Sequence, residues 1–185
     1  MDDPSSPAPV ILLYGDGSLF MSLLARELLQ HTSARLILAG RDDARARRAA
    51  HALDPDGRRV GSGAASLEDG AALLALLDGV AAVVCCVRSF RGLPATLVDA
   101  CLARGVAYFD CADSRAYVAR VRDRRALIAE RGITVGTGLG MTPGISALAV
   151  AYAIAELELT EVARIDTAIY VGSRRARGSL RPGLS

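Results

Sequence analysis

Short unbroken apolar runs alternate along this chain with longer stretches in which apolar residues recur every three or four positions. Val10–Tyr14 is continuously apolar, the pattern of a strand buried on both faces. From Ser18 to His31, Leu19, Leu23, Leu24, Leu28 and Leu29 fall on one helical stripe. Arg35–Gly40 (RLILAG) predicts a second strand, and Asp42 is placed to cap a helix running to about Leu53. Pro55–Gly57 is a turn, and RVGSGAAS from Arg59 is a weak third strand diluted by glycine. Leu67–Leu77 predicts a third helix and Val80–Val87 a strong fourth strand. The next helix has Pro94 in its first turn and stops at Gly105, a C-cap position. VAYFD, ending at Asp110, is a fifth strand. Asp113 or Ser114 caps a long Arg-rich helix ending at Gly132, ITVGTG is a sixth strand, and an apolar helix runs from Pro143 to about Leu159. In EVARIDTAIYVG, Val162, Ile165, Thr167 and Ile169 suggest one more strand with a broken step.

Strands alternating with helices of this length imply right-handed βαβ units and a parallel sheet. The expected fold is α/β, a doubly wound parallel sheet of Rossmann type over residues 9–159. Residues 1–8, acidic and proline-bearing, are expected to be a disordered N-terminus. Residues 160–185 read as the start of a second domain, cut short, with a basic tail.

Composition narrows the chemistry. All 22 basic residues are Arg, and the chain has neither Lys nor Asn, so a Lys base or Schiff-base amine is excluded. The net charge of +2 gives no block that argues for nucleic acid as a partner. The longest apolar run, Ile145–Ala155, is 11 residues, short of the about 20 that cross a membrane. Cys85, Cys86, Cys101 and Cys111 match no zinc spacing and read as reduced core thiols, with Cys85 and Cys86 on opposite faces of one strand. With no secretory leader pattern at the start, the expected location is cytoplasmic.

The sharpest feature is the turn Gly15-Asp16-Gly17-Ser18-Leu19 between the first strand and the first helix. In a dinucleotide fingerprint one glycine makes the tight turn, one admits the pyrophosphate and one lets the helix pack on the strand. Gly15 and Gly17 can do the first two jobs. Phe20, or Ser18 and Met21 in the longer register, stand where further glycines are usual. The helix start still offers the amides around Ser18 and Leu19 to a phosphate, while the Asp16 carboxylate repels one unless it points away. After the second strand, Arg41 takes the place of the acid that holds a ribose 2′-hydroxyl. A guanidinium there suits a 2′-phosphate, which favours NADP over NAD. Arg45 lies one turn on and could assist, but reads first as part of a solvated face with Arg47 and Arg48.

Three stretches resemble the NADP-binding domain of saccharopine dehydrogenase-like proteins. They are VILLYGDGSLFMSLLARELL with ARLILAGRD, then VAAVVCCVRSFRGLPATLVDACLARGVAYFDCAD, then GITVGTGLGMTPGISALAVAYAIAEL. The resemblance covers most of the chain, about Val10 to Gly172. The resemblance implies a dinucleotide-binding domain of an oxidoreductase, followed in relatives by a second α/β domain that binds substrate and mediates dimerisation. A homodimer is therefore the assembly it implies, with a small-molecule substrate that cannot be read here. It also places the loop after the fourth strand over the cofactor, so that Cys86 and Val87 join Gly15, Gly17, Ser18, Leu19 and Arg41 as expected cofactor contacts. The chain departs from the family in that loop: Arg88 stands where relatives keep a glycine, and either blocks the site or contacts a phosphate.

No Ser–His–Asp set, metal cluster or proton relay is evident. His31 and His51 read as exposed helix residues. Asp110 and Asp113 read as backbone-satisfying turn and cap residues, and Thr137, Thr142 and Ser146 as part of a strand–helix connection. No catalytic residue is assigned and no metal is expected. Two functions compete: an NADP-preferring oxidoreductase-type domain, inactive alone, and a degenerate Rossmann module that serves as an interaction or regulatory partner.

Overall fold

Residues 7–168 are described by a computed structural model. Among the described residues, six strands and seven α-helices follow one another: β1 Val10–Gly15, α1 Leu19–His31, β2 Arg35–Gly40, α2 Asp43–Leu53, β3 Val60–Ala64, α3 Gly70–Leu76, β4 Ala82–Cys86, α4 Thr96–Arg104, β5 Ala107–Asp110, α5 Arg115–Arg122, α6 Arg125–Arg131, β6 Val135–Gly136 and, after a short π-helical turn at Met141–Ile145, α7 Ser146–Glu156. The strands form one parallel sheet in the order β3-β2-β1-β4-β5-β6. The order reverses direction between β1 and β4, the crevice where doubly wound sheets take their ligands.

The unbroken apolar runs follow from burial on both faces. Leu12, Tyr14, Val83, Cys85 and Tyr108 pack on one side with α3, α4 and α5. Leu13, Leu36, Leu38 and Cys86 pack on the other with Met21, Ala25 and Ala50 of α1 and α2. Cys85 and Cys86 thus face opposite cores, as the strand period requires. The cysteines are free thiols. Burial pushes Cys85 and Cys101 each up to about 12, and raises Cys86 and Cys111 as well, so none is activated.

Local signals set most boundaries. Ser18, Asp42, Asp69 and Ser114 cap α1, α2, α3 and α5 through their side chains. The α3 helix starts at Gly70 rather than Leu67 because Asp69 takes the cap. Pro94 lies two residues ahead of α4, and Gly105 closes that helix at φ +70°. The glycine-diluted stretch after Arg59 is a full edge strand, β3, held by pairing to β2.

The long Arg-rich helix is two helices, which the sequence pattern does not predict. The Arg124 amide should bond the carbonyl of Arg120, but the Arg124 guanidinium occupies it at 2.6 Å. That side chain also grips Asp99 of α4 at 2.5 and 2.7 Å. The amide turns to Val121 instead, and the helix restarts at Arg125. At the C-terminus, residues 161–168 are exposed and carry no regular structure, so the strand expected from Val162 does not form there. The rest of that segment, Ile169–Gly172, lies outside the described residues, as do the basic tail and residues 1–6 of the expected disordered N-terminus. No helix among the described residues is long and apolar enough to cross a membrane.

One polar knot ties both helix ends on the α1–α2 side. The Arg59 guanidinium donates to the carbonyls of Leu29, Thr32 and Ala34. Asp54 accepts from the amides of Arg59 and Val60 at 2.6 and 3.0 Å. Those amides hold its carboxyl below the ordinary 3.8. At neutral pH, Asp54→Ala is expected to melt at a lower temperature than the parent chain. A carboxyl depressed on folding contributes fully above its ordinary value and loses that contribution as pH falls through its folded value. Thermal melts of the two proteins should therefore converge in acid; a gap that persists or widens there would contradict the assignment.

Candidate functional site

At the crevice between β1 and β4 lies a cleft of about 690 Å³, within the range of small-molecule sites. Its floor is the turn from β1 into α1. Gly17 sits at φ +68°, a left-handed conformation that side chains resist, so the turn requires glycine there. A Cβ at Gly15 would stand 3.0 Å from the Cys86 carbonyl oxygen, and one at Gly40 would stand 2.2 Å from the Gly15 carbonyl oxygen. The three strand ends β2, β1 and β4 therefore meet with almost no space between backbones.

The α1 N-terminus opens onto this turn. Ser18 accepts from the Met21 amide at 3.4 Å, and its carbonyl takes the Ser22 amide. The amides of Leu19 and Phe20 have no partner among the described residues, leaving two donors at the positive end of the helix. Met21, at the third glycine's place in the longer register, lines the cleft but does not fill it: its side chain is buried with Leu13 and Ala25, its sulfur close to Gly15. Phe20 is half exposed and stands outside the lining.

Arg41 and Arg45 line one side of the cleft, Val87, Arg88 and Ser89 the other. The Arg45 side chain reaches back until its Nε lies 3.5 Å from where a Gly17 Cβ would be. Arg88 crosses toward the turn and its Nε forms an ion pair with Asp16 Oδ2. The Asp16 carboxylate is therefore neutralised from β4's side. Tyr14 closes the base; its hydroxyl donates to the Ala65 carbonyl at 2.7 Å, and burial pushes its phenol up to about 12.

Of the expected cofactor contacts, Gly15, Gly17, Arg41 and Val87 are brought together around the cleft. Ser18 and Leu19 stand just outside it, as the cap and the first residue of α1. Cys86 is buried in the core and presents backbone, not thiol, to the turn. Gly40, Arg45, Ser66 and Glu68 line the cleft beyond those expected. Arg45 is visible in the sequence as one turn from Arg41; Ser66 and Glu68 follow β3, the weak glycine-diluted strand of the sequence pattern, and carry no local signal of their own.

The other candidates lie elsewhere. Asp110 is buried at the end of β5, where it accepts from the amides of Ala112 and Gly138 and from the Thr137 hydroxyl, each at 2.9 Å. Ser114, not Asp113, caps α5. Thr142 and Ser146 bond each other at 3.0 Å on the exposed approach to α7. His31 and His51 are exposed on the far ends of α1 and α2. No group of three or more His, Cys, Asp or Glu that could hold a metal occurs among the described residues.

A family model described as "Saccharopine dehydrogenase NADP binding domain" matches residues 11–135. No curated protein sequence is significantly similar to the chain. Among solved structures, apo saccharopine dehydrogenase (L-Glu forming) from Saccharomyces cerevisiae superposes with a TM-score of 0.67 at 20% identity, over 82% of this chain and 32% of that one. A short-chain dehydrogenase/reductase from Veillonella parvula in complex with NADP gives 0.53 at 16% identity, over 71% and 68%. Shikimate 5-dehydrogenase from Listeria monocytogenes, with shikimate and NAD, gives 0.51 at 14% identity, over 82% and 56%. These likenesses show the Rossmann fold. The chain spans about a third of the yeast enzyme's length.

Proposed function

The chain belongs to the saccharopine dehydrogenase NADP-binding domain family, and from that premise we propose that its cleft binds a nicotinamide dinucleotide, NADP in preference to NAD. The observation that carries this reading is the pair of arginines, Arg41 and Arg45, standing beside a two-glycine turn whose helix amides are free. The cleft fits the group: Gly17 leaves the turn open, the buried Met21 side chain lies beneath the turn without filling the cleft, and Arg88 brings a cation to the turn beside Asp16.

The Leu19 and Phe20 amides would receive the pyrophosphate. The Arg41 fork would hold the 2′-phosphate, with Arg45 between the two anions. Val87 would lie against the nicotinamide side. Bound there, the cofactor would supply a hydride. We assign no catalytic residue: of the carboxylates lining the cleft, Asp16 is paired with Arg88, Asp42 caps α2, and Glu68 follows the edge strand β3, on the far side of the cleft from β4.

The domain runs to the end of α7, and the substrate-binding part of such an enzyme would pack on that helix. Leu148 and Tyr152 of α7, with Met141 and Ile145 before it, are each more than 60% exposed, an apolar surface that requires a cover. The same surface favours a second reading, an interaction module without chemistry of its own.

Fluorescence titration distinguishes the readings. NADPH is expected to bind at least about tenfold more tightly than NADH, and Arg41→Ala to remove about ten- to a hundredfold of NADPH affinity while leaving NADH nearly unchanged. A folded protein that binds neither nucleotide at millimolar concentration would leave the interaction module standing. Equal loss of both nucleotides in Arg41→Ala would remove the NADP preference.

A further inference from the structure

We propose that Asp16 and Arg88 form an ion-pair latch across the glycine turn, in which the carboxylate occupies the guanidinium that a dinucleotide pyrophosphate takes on binding. The inference rests on the dinucleotide reading above and adds a ligand to it, Arg88, together with the group that holds that ligand in reserve.

The two residues come from neighbouring strands at the reversal point of the sheet. Asp16 is the first residue after β1, and Arg88 stands two residues past β4. Both line the cleft. Their side chains meet through Arg88 Nε and Asp16 Oδ2. The other carboxylate oxygen, Oδ1, is buried and without a hydrogen-bond partner among the described residues. The Arg88 contact is thus the one side-chain compensation this carboxylate has among the described residues, and a pyrophosphate must compete with it for the guanidinium.

A carboxylate and a phosphate compete for the same planar fork. Without Arg88, Asp16 would set a bare negative charge in the floor of an anion site, and nothing in this cleft would offset it on the β4 side. With Arg88 paired, the turn is neutral but its nearest cation is spent. On binding, one ion pair breaks and one forms; charge is conserved and no proton moves. The free chain therefore holds its binding-competent form in part, and the apparent affinity is reduced by that fraction. Arg88 is 59% exposed on its side chain and Asp16 27%, so solvent weakens the latch and keeps it reversible.

The test is NADPH titration of the full chain and of Asp16→Ala, Asp16→Asn, Arg88→Ala and the double variant Asp16→Ala/Arg88→Ala, with circular dichroism to confirm folding. Both Asp16 variants are expected to bind about three- to tenfold more tightly than the parent, and Arg88→Ala about three- to tenfold more weakly. Losing Arg88 in the Asp16→Ala background should erase the gain. Asp16→Asn keeps the side-chain volume, so it carries the test should the turn not tolerate Ala. Binding by Asp16→Ala where the parent binds none would also support the latch. If the parent binds NADPH and neither Asp16 variant binds it more tightly, the latch is wrong and the dinucleotide reading survives. If the Asp16→Ala gain persists without Arg88, simple charge repulsion explains it and the latch is wrong. If every folded variant and the parent fail to bind, the dinucleotide reading falls and takes the latch with it.

Discussion

Gly40→Ala is expected to abolish saturable NADPH binding and to lower the melting temperature by roughly 6–12 °C. A methyl group there would stand 2.2 Å from the Gly15 carbonyl oxygen, a separation no real contact tolerates. The atom in the way is backbone, so no rotamer change relieves it. The end of β2 must move away from β1, and Gly15 is itself held on its other side by the Cys86 carbonyl. Forcing apart packed backbone costs about 3 kcal/mol, and the displaced atoms are those that shape the phosphate turn. Gly70→Ala is the control. It opens α3, has nothing within 4 Å of an added Cβ, and carries no positive φ. It should be neutral or stabilise by about 0.5 kcal/mol. Differential scanning fluorimetry with and without NADPH compares the two. A Gly40→Ala protein that melts with the parent and still binds would show that the strand ends do not meet as closely as described.

Gly40 also shows where sequence reading stops. Its place at the end of an apolar run made it a strand glycine, but the oxygen it must avoid belongs to β1, and nothing in its own neighbourhood names that partner. The strands themselves were legible because burial on both faces writes a continuous apolar run, as in Val10–Tyr14 and Val80–Val87. The caps Ser18 and Asp42 were legible because a cap acts on its own helix within three residues. Tertiary causes were not. The break between α5 and α6 comes from Arg124 reaching Asp99 on another helix, against a local pattern that favours one long helix. The Asp16 charge looked like an obstacle in the glycine turn, and Arg88 looked like an intruder after β4; each neutralises the other, which is visible only once β1 and β4 lie side by side. The family resemblance supplied the frame in which Cys86 and Val87 were expected near the cofactor. It could not say that Cys86 would offer its backbone and bury its thiol.

The last prediction concerns the other end of the sheet. Asp110→Ala is expected to cost about 3–5 kcal/mol, because it strips their acceptor from two amides and a hydroxyl, a fall of roughly 6–20 °C in melting temperature, whereas Asp110→Asn should cost about 1–2 kcal/mol. The difference follows from which oxygen does what. Oδ1 accepts from the Ala112 and Gly138 amides and from Thr137, while Oδ2 meets the Thr137 hydroxyl alone. An asparagine can keep its carbonyl oxygen in the first position and turn its amide nitrogen to the second. There it donates to Thr137, whose hydroxyl accepts as readily as it donates. Alanine leaves buried donors with nothing to bind. The local consequence is larger than the global one, because β6 is joined to β5 through a two-residue register, Tyr108↔Val135 and Phe109↔Gly136. The Asp110 carboxylate and its own carbonyl, which accepts the Leu139 amide at 2.8 Å, carry much of the remaining connection to the turn before α7. Limited proteolysis of Asp110→Ala should therefore cut first between Thr137 and Ile145, while Asp110→Asn resists like the parent. If alanine and asparagine destabilise equally, the negative charge rather than the number of acceptors holds this end of the sheet together.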